Sequence, residues 1–212
     1  MEHTFINILK RCITDPAYLL SRLAPFLRGT FCIIYYRTFK RNVKIGFPFM
    51  VGAKVRIIGP GRVYIGKHCA VLENVFKGLT IVTFSKDSTV IIGNKCALGG
   101  ITIRRHSKVE FGDRVMSAIS LIQDESFMDL DRDKKLPVRG LIFEPKPISI
   151  GNNVWLGADS LVLGGSKIAN DSVLSAGSCC FDTVYSDYCL IIGNPAHKSL
   201  PIDKLLRLKG VS

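Results

Sequence analysis

Residues suited to proton chemistry are few in this chain. It carries four histidines, His3, His68, His106 and His197, scattered through the sequence. His106 stands nineteen residues before Glu125, with Asp124 beside it. An imidazole oriented by a carboxylate is a workable general base for taking the proton of a hydroxyl. Such a pair requires a chain that returns to itself about every nineteen residues, and adjacent parallel coils lie roughly 5 Å apart. The plainer alternative is that His106 is a solvent-facing corner residue between Arg105 and Ser107. Scattered histidines do not supply the clustered ligands of a zinc site, so no metal is expected. The seven cysteines contain no C-x-x-C pair. Cys69, Cys96 and Cys180 fall where small or apolar residues belong, which points to reduced core thiols in a cytoplasmic protein. Cys179 and its neighbour Cys180 point in opposite directions along a strand.

A repeating element that could place such residues is legible between Ile148 and Cys180. Every sixth residue from Ile150 is apolar: Ile150, Leu156, Val162, Ile168, Leu174, Cys180. A second column four residues on reads Val154, Ser160, Ser166, Ser172, Ser178. Helices repeat apolar residues at three and four, and half-buried strands at two. A period of six fits neither and marks a hexapeptide β-helix, three short strands to a coil of about eighteen residues. The aliphatic side chain fills the prism, and Gly, Asn or Asp accepts left-handed backbone at the turns. Upstream the aliphatic–Gly landmarks Ile45, Ile65, Ile92, Phe111 and Ile150 are separated by 20, 27, 19 and 39 residues. Each spacing is one coil plus an insertion, or more than one coil for the longest. The last surplus, residues 123–147, is a long charged excursion of the kind that carries function or is disordered. The fold class expected is all-β, a parallel β-helix with a basic helical segment before it and a short helix after it.

The 212 residues carry a formal charge of +12. Eight of the basic residues lie in the first 44, against only Glu2 and Asp15, which favours an anionic partner. Residues 4–41 read as helical, with breaks at Pro16, Pro25 and Gly29. This segment, 1–42, caps the open end of the solenoid or lies on a membrane surface. No pattern of a nucleic-acid module is present, so no nucleic acid is expected. No apolar run reaches the roughly twenty residues that span a bilayer, and "MEHTF" lacks a basic n-region, so no signal peptide is expected. The β-helix is assigned to 43–198 and a terminal helix, opened by Pro201 and stopped by Gly210, to 199–212.

The run "KPISIGNNVWLGADSLVLGGSKIANDSVLSAGSC" followed by "IIGNPAHK" resembles the hexapeptide-repeat acetyltransferases. The pattern is closest to the maltose/galactoside and surface-polysaccharide O-acetyltransferases and covers about residues 43–200. The resemblance implies a left-handed coil, although parallel crossovers are otherwise right-handed. It further implies a homotrimer, with acetyl-CoA in a groove between subunits and a sugar or lipid-linked glycan as acceptor. By position Trp155 flanks the acyl site, and Gly157 and Ala158 match the segment whose backbone amide faces the thioester carbonyl. Ser175 and Ala176 match positions along the pantetheine arm, while Asn194 and Lys198 match the closing "GNPA-x-K", where a cation approaches the nucleotide phosphates. Otherwise Trp155 is a core or interface aromatic and Lys198 a solvated charge. The family's base is a histidine in the long loop, where this chain has "DESFM", Asp124 to Met128. A thioether cannot take a hydroxyl proton, which leaves His106 with Glu125 or Asp124 as the candidate replacement. The reading is an acetyl-CoA-dependent O-acetyltransferase of bacterial surface polysaccharide, cytoplasmic and peripheral on the inner membrane face. The alternatives are an N-acyltransferase on a nucleotide-activated amino sugar, or a catalytically impaired scaffold.

Overall fold

The structure is a computed structural model and describes residues 15–72, 78–124 and 145–202. Three parallel sheets form the sides of a prism. The first runs from β1 (Val43–Ile45) to β19 (Val184–Tyr185) through seven strands, and the third has six. The second starts at β2 (Phe49–Val51), and its eighth strand is β21 (Ala196–Pro201), the one antiparallel addition. Successive strands of the chain visit successive sides, which is why a step of six residues leads from one side to the next. Ile150, Leu156 and Val162 lie on the first, second and third sides, and Ile168, Leu174 and Cys180 repeat that order one coil later. All six are at most 2% exposed and form the aliphatic column of the core. This is the parallel β-helix class expected from the sequence, and its course is consistent with the left-handed coil that the resemblance implies.

The register explains the uneven upstream spacings. Ile45 pairs with Ile65, Ile65 with Ile92, Ile92 with Phe111 and Phe111 with Ile150, so each spacing is a single coil. The surplus before Ile150 leaves from the corner between the third and first sides and returns to it. A Cβ on Gly164 would press on the carbonyls of Asp124 at 3.2 Å and Lys146 at 3.5 Å, so both ends of the excursion converge there. Lys146 is ion-paired with Asp182 on the same corner. Residues 125–144, which include Glu125, lie outside the described residues.

Between the first and second sides, Asn94, Asp113, Asn152, Asn170 and Asp187 form a ladder. Each carboxylate or amide oxygen takes the backbone N–H one coil before it: Asn94 N–H to Asp113 (2.7 Å), Asp113 N–H to Asn152 (2.8 Å), Asn152 N–H to Asn170 (2.8 Å) and Asn170 N–H to Asp187 (2.8 Å). The ladder fixes corners that would otherwise leave donors unmet. The left-handed backbone falls on the next residue, at Lys95, Arg114, Asn153 and Asp171, and at His68 on the coil before. His68 is thus a turn residue. Buried serines at positions 160, 166, 172 and 178 complete the tight interior.

Helix α1 (Pro16–Phe39) corrects the expected breaks at Pro25 and Gly29. Pro16 begins the helix, as its missing N–H allows. The helix runs through Pro25 and Gly29 because docking on the first coil outweighs local propensity. Gly29 is the point of closest approach, where a Cβ would run into the carbonyl of Phe49. Seven residues on, the Tyr36 hydroxyl accepts the Ile57 N–H at 3.1 Å. The helix therefore covers the open end of the prism, where β1 and β2 would otherwise expose Val43 and Phe49.

The C-terminal assignment is also corrected. Residues 199–201 belong to β21, which pairs antiparallel with β20 (Cys189–Gly193), rather than to a helix. The preceding Gly193–Ala196 turn has the compact sequence GNPA, and the Tyr185 hydroxyl donates to the Ala196 carbonyl at 2.9 Å. The rest of the expected helix, residues 203–212, and residues 4–14 of the N-terminal one lie outside the described residues.

Candidate functional site

Two clusters contain the residues singled out in the sequence, on different corners of the prism. The first is the corner after β14 (Trp155–Leu156). Trp155 points outward and is 53% exposed, while Leu156 beside it is fully buried. The stacking of coils decides which amides remain available here. Gly157 N–H donates to the Leu174 carbonyl at 2.8 Å, and Asp159 N–H to the Ile119 carbonyl at 2.8 Å. Ala158, between them, has an N–H without an acceptor among the described residues. One coil on, Ser175 N–H is bonded to Ile191 at 2.9 Å and Gly177 N–H to Ala158 at 2.8 Å, and the Ala176 N–H is again unbonded. Ala158 and Ala176 occupy the same register position, so two free donors stand roughly 5 Å apart up one edge.

This separates the residues of the resemblance. The Gly157 amide is committed to coil stacking, and its missing side chain serves the same contact. A Cβ there would lie 2.6 Å from Ala176 N and 2.7 Å from the Leu174 carbonyl oxygen. Ala158 is left as the candidate oxyanion donor. Ser175 likewise spends its amide, leaving Ala176 as the free position. Asn194 is exposed in the GNPA turn. The Lys198 backbone pairs with Ile192, while its side chain lies outside the description.

The second cluster is the corner after β9 (Thr102–Arg105). Asp124 organises it. One carboxylate oxygen accepts His106 N–H at 2.7 Å, and the other accepts Ser107 N–H at 2.6 Å and the Ser107 hydroxyl at 2.7 Å. Asp124 thus holds the main chain that carries His106; of the two carboxylates expected to orient the imidazole, the other, Glu125, lies outside the described residues. The ring of His106 stacks on Phe84, centroids 4.5 Å apart and planes 10° apart, and the Arg104 guanidinium lies 5.6 Å from the same phenyl ring.

Arg105 was not singled out by the sequence reading. It pairs with Thr83 one coil back and follows Ile103 by two residues, so its side chain faces inward with the aliphatic column. Strand alternation was the signal that could have found it. It is 0% exposed, and Nε and both terminal nitrogens have no hydrogen-bond partner. Burial pushes its guanidinium down to about 10, against the opposing pull of Asp124 and Glu110. Because the folded value lies below the unfolded one, this group adds stability only as pH climbs through that alkaline range. At neutral pH its charge is a standing cost.

The two clusters do not meet within one chain. From Ala158 to Gly164 a whole side of the prism intervenes, six residues or roughly 20 Å of strand. Cys69 and Cys96 are buried neighbours whose hydrogen bond lowers the first and raises the second, and burial pushes Cys180 up to about 11. Among the described residues no three His, Cys, Asp or Glu side chains gather as a metal site.

No family profile matches the sequence, and no curated protein matches it. Solved structures with a similar course of chain do exist. A hexapeptide-repeat containing acetyltransferase from Vibrio cholerae is 19% identical over 64% of this chain and 71% of its own, with a TM-score of 0.47. The polysialic acid O-acetyltransferase OatWY is 20% identical, covering 75% and 73%, with a TM-score of 0.48. The D94N mutant of AntD, an N-acyltransferase from Bacillus cereus solved with dTDP and coenzyme A, is 15% identical, covering 78% and 88%, at 0.47. Strand pairing and the six-residue core column identify the chain as a hexapeptide-repeat parallel β-helix, similar in course to acyltransferases built on that repeat.

Proposed function

We propose that the protein is an acetyl-CoA-dependent acetyltransferase that modifies a sugar hydroxyl in bacterial surface polysaccharide, working as a cytoplasmic homotrimer. The observation that supports this best is the edge carrying Trp155 and the free N–H groups of Ala158 and Ala176. An extended pantetheine arm presents amide carbonyls along its length, and two unspent donors one coil apart can bind it. Trp155 supplies an apolar wall beside them.

In the reaction, His106 takes the proton of the acceptor hydroxyl as its oxygen attacks the thioester carbonyl. The Ala158 N–H accommodates the charge that develops on the carbonyl oxygen. Collapse breaks the carbon–sulfur bond, and the imidazolium returns the proton to the departing thiolate. Since His106 and Ala158 sit on different corners, the base comes from a neighbouring subunit of the trimer. The basic N-terminal segment suits an anionic or lipid-linked glycan acceptor.

His106→Ala is expected to lower acetyl transfer by about 100-fold with acetyl-CoA binding retained, as read by turnover beside equilibrium binding. Undiminished turnover would remove His106 from the mechanism. Loss of binding in Trp155→Ala, with the fold intact, would support the donor edge.

A further inference from the structure

Helix α1 is apolar on two opposite faces. Gly29, Cys32, Ile33 and Tyr36 meet the first coil. Away from it run Leu23, Leu27, Phe31 and Ile34, with Leu27 57%, Phe31 70% and Ile34 59% exposed. An exposed apolar stripe on the far side of a docked helix marks a second contact surface. The covered face is accounted for by the prism; the outer stripe is not.

The charges beside the stripe select its occupant. From Ser21 to Ile45 every charged residue is a cation: Arg22, Arg28, Arg37, Lys40, Arg41 and Lys44. At the end of the helix a groove of about 420 Å³ has Ile33, Val43 and Ile45 as its apolar lining, with Arg37, Arg41 and Lys44 beside them. The neighbouring Lys40 is turned away, its ammonium donating to the Ile57 carbonyl at 3.5 Å. A second copy seated stripe to stripe would bring these cations against one another. An anionic lipid surface instead matches both features, hydrocarbon for the stripe and phosphate for the cations. The helix is not long and apolar enough to cross a membrane, so it would lie along the surface.

We propose that helix α1 and its basic groove are a docking surface for an anionic phospholipid bilayer. The stripe of Leu27, Phe31 and Ile34 enters the boundary between headgroups and acyl chains, and a lipid phosphate sits among Arg37, Arg41 and Lys44. This places the prism upright on the membrane by the end that α1 closes. It does not depend on the acyl-transfer reading.

The test is co-sedimentation of the full chain with vesicles of phosphatidylcholine alone and of phosphatidylcholine mixed with phosphatidylglycerol. Binding is expected to the mixed vesicles only. The combined Arg37→Gln, Arg41→Gln, Lys44→Gln variant should bind on the order of 100-fold more weakly, the sum expected for three cations at an anionic surface. Leu27→Ser with Phe31→Ser and Ile34→Ser should also detach, and Phe31→Ser alone should weaken binding measurably if the triple variant fails to fold. Lys86→Gln with Lys95→Gln and Lys167→Gln removes the same charge elsewhere and should bind nearly as the parent does. Equal loss in that control would mean adsorption by net charge and overturn the proposal. So would absence of binding to the mixed vesicles, or apolar variants that bind unchanged. A lipid-free change of oligomeric state in the apolar variants would assign the stripe to a second copy. Glycerol 3-phosphate bound in solution as tightly as vesicles would assign the groove to a free phosphate compound.

Discussion

Asp124→Ala lowers the free energy of unfolding by about 3–5 kcal/mol, the usual consequence of removing one side of a buried charged network. The carboxylate accepts three hydrogen bonds, from the backbone N–H groups of His106 and Ser107 and from the Ser107 hydroxyl, at 2.6–2.7 Å. Its loss strands those donors in a corner where the side chain it replaced was 4% exposed. It also removes the stronger of the two carboxylates that favour the charge of Arg105, whose guanidinium is already buried and unbonded. Urea unfolding at matched protein concentration measures the effect. A companion variant checks the cause: Arg105→Met replaces an unpaired buried cation by a side chain of similar length, and should raise stability by about 1–4 kcal/mol. If Asp124→Ala unfolds as the parent does, the carboxylate does not organise this corner. If Arg105→Met destabilises by as much, the guanidinium is satisfied by contacts other than those seen.

Ala158→Pro reduces kcat by about 100–1000-fold, the range observed when one oxyanion donor is removed, and leaves the coil in place. The prediction rests on hydrogen-bond accounting along three consecutive residues. Gly157 and Asp159 donate to neighbouring coils and Ala158 does not, so a proline at 158 deletes an N–H the fold does not use. Ala158→Gly keeps the N–H and should retain full activity, and thermal melting of both variants separates catalysis from folding. A proline variant that turns over normally would remove the Ala158 amide from the reaction. Gly157→Pro should instead destabilise, since that amide bonds to Leu174.

The period of six made the architecture legible because each apolar residue of the column performs the same task on a different side. Ile150, Leu156 and Val162 differ in side yet share burial, and no other regular structure repeats that way. The corner ladder from Asn94 to Asp187 was only half visible. Asn and Asp were expected to take left-handed backbone at the turns, as Asn153 and Asp171 do, but the bonds of the ladder run between coils, which composition does not show. Propensity misled at Pro25 and Gly29, where tertiary docking of α1 prevails, and at Ser199–Pro201, where the edge of β20 recruits the chain before a helix can begin.

At the candidate site the sequence pointed to an edge but could not choose within it. Gly157 and Ala158 look equivalent until the carbonyl of Leu174 is seen to occupy the first. The nineteen-residue spacing relates His106 to Glu125, which lies outside the described residues; Asp124 beside it does reach His106 from the next coil. Spacing says nothing of which atom a carboxylate reaches, and here it reaches main chain. The stacking of Phe84 on His106 joins residues 22 apart in a coil enlarged by an insertion, with no local signal.

The most direct measurement is release of CoA from acetyl-CoA by the full-length protein, against a panel of sugar acceptors that includes lipid-linked glycans, beside the His106→Ala and Trp155→Ala variants. Acceptor-dependent release of CoA, with a matching acetyl ester on the sugar and loss in both variants, is the predicted result. Saturable binding of acetyl-CoA without CoA release for any acceptor would contradict the proposed reaction and leave the prism as a ligand-binding scaffold.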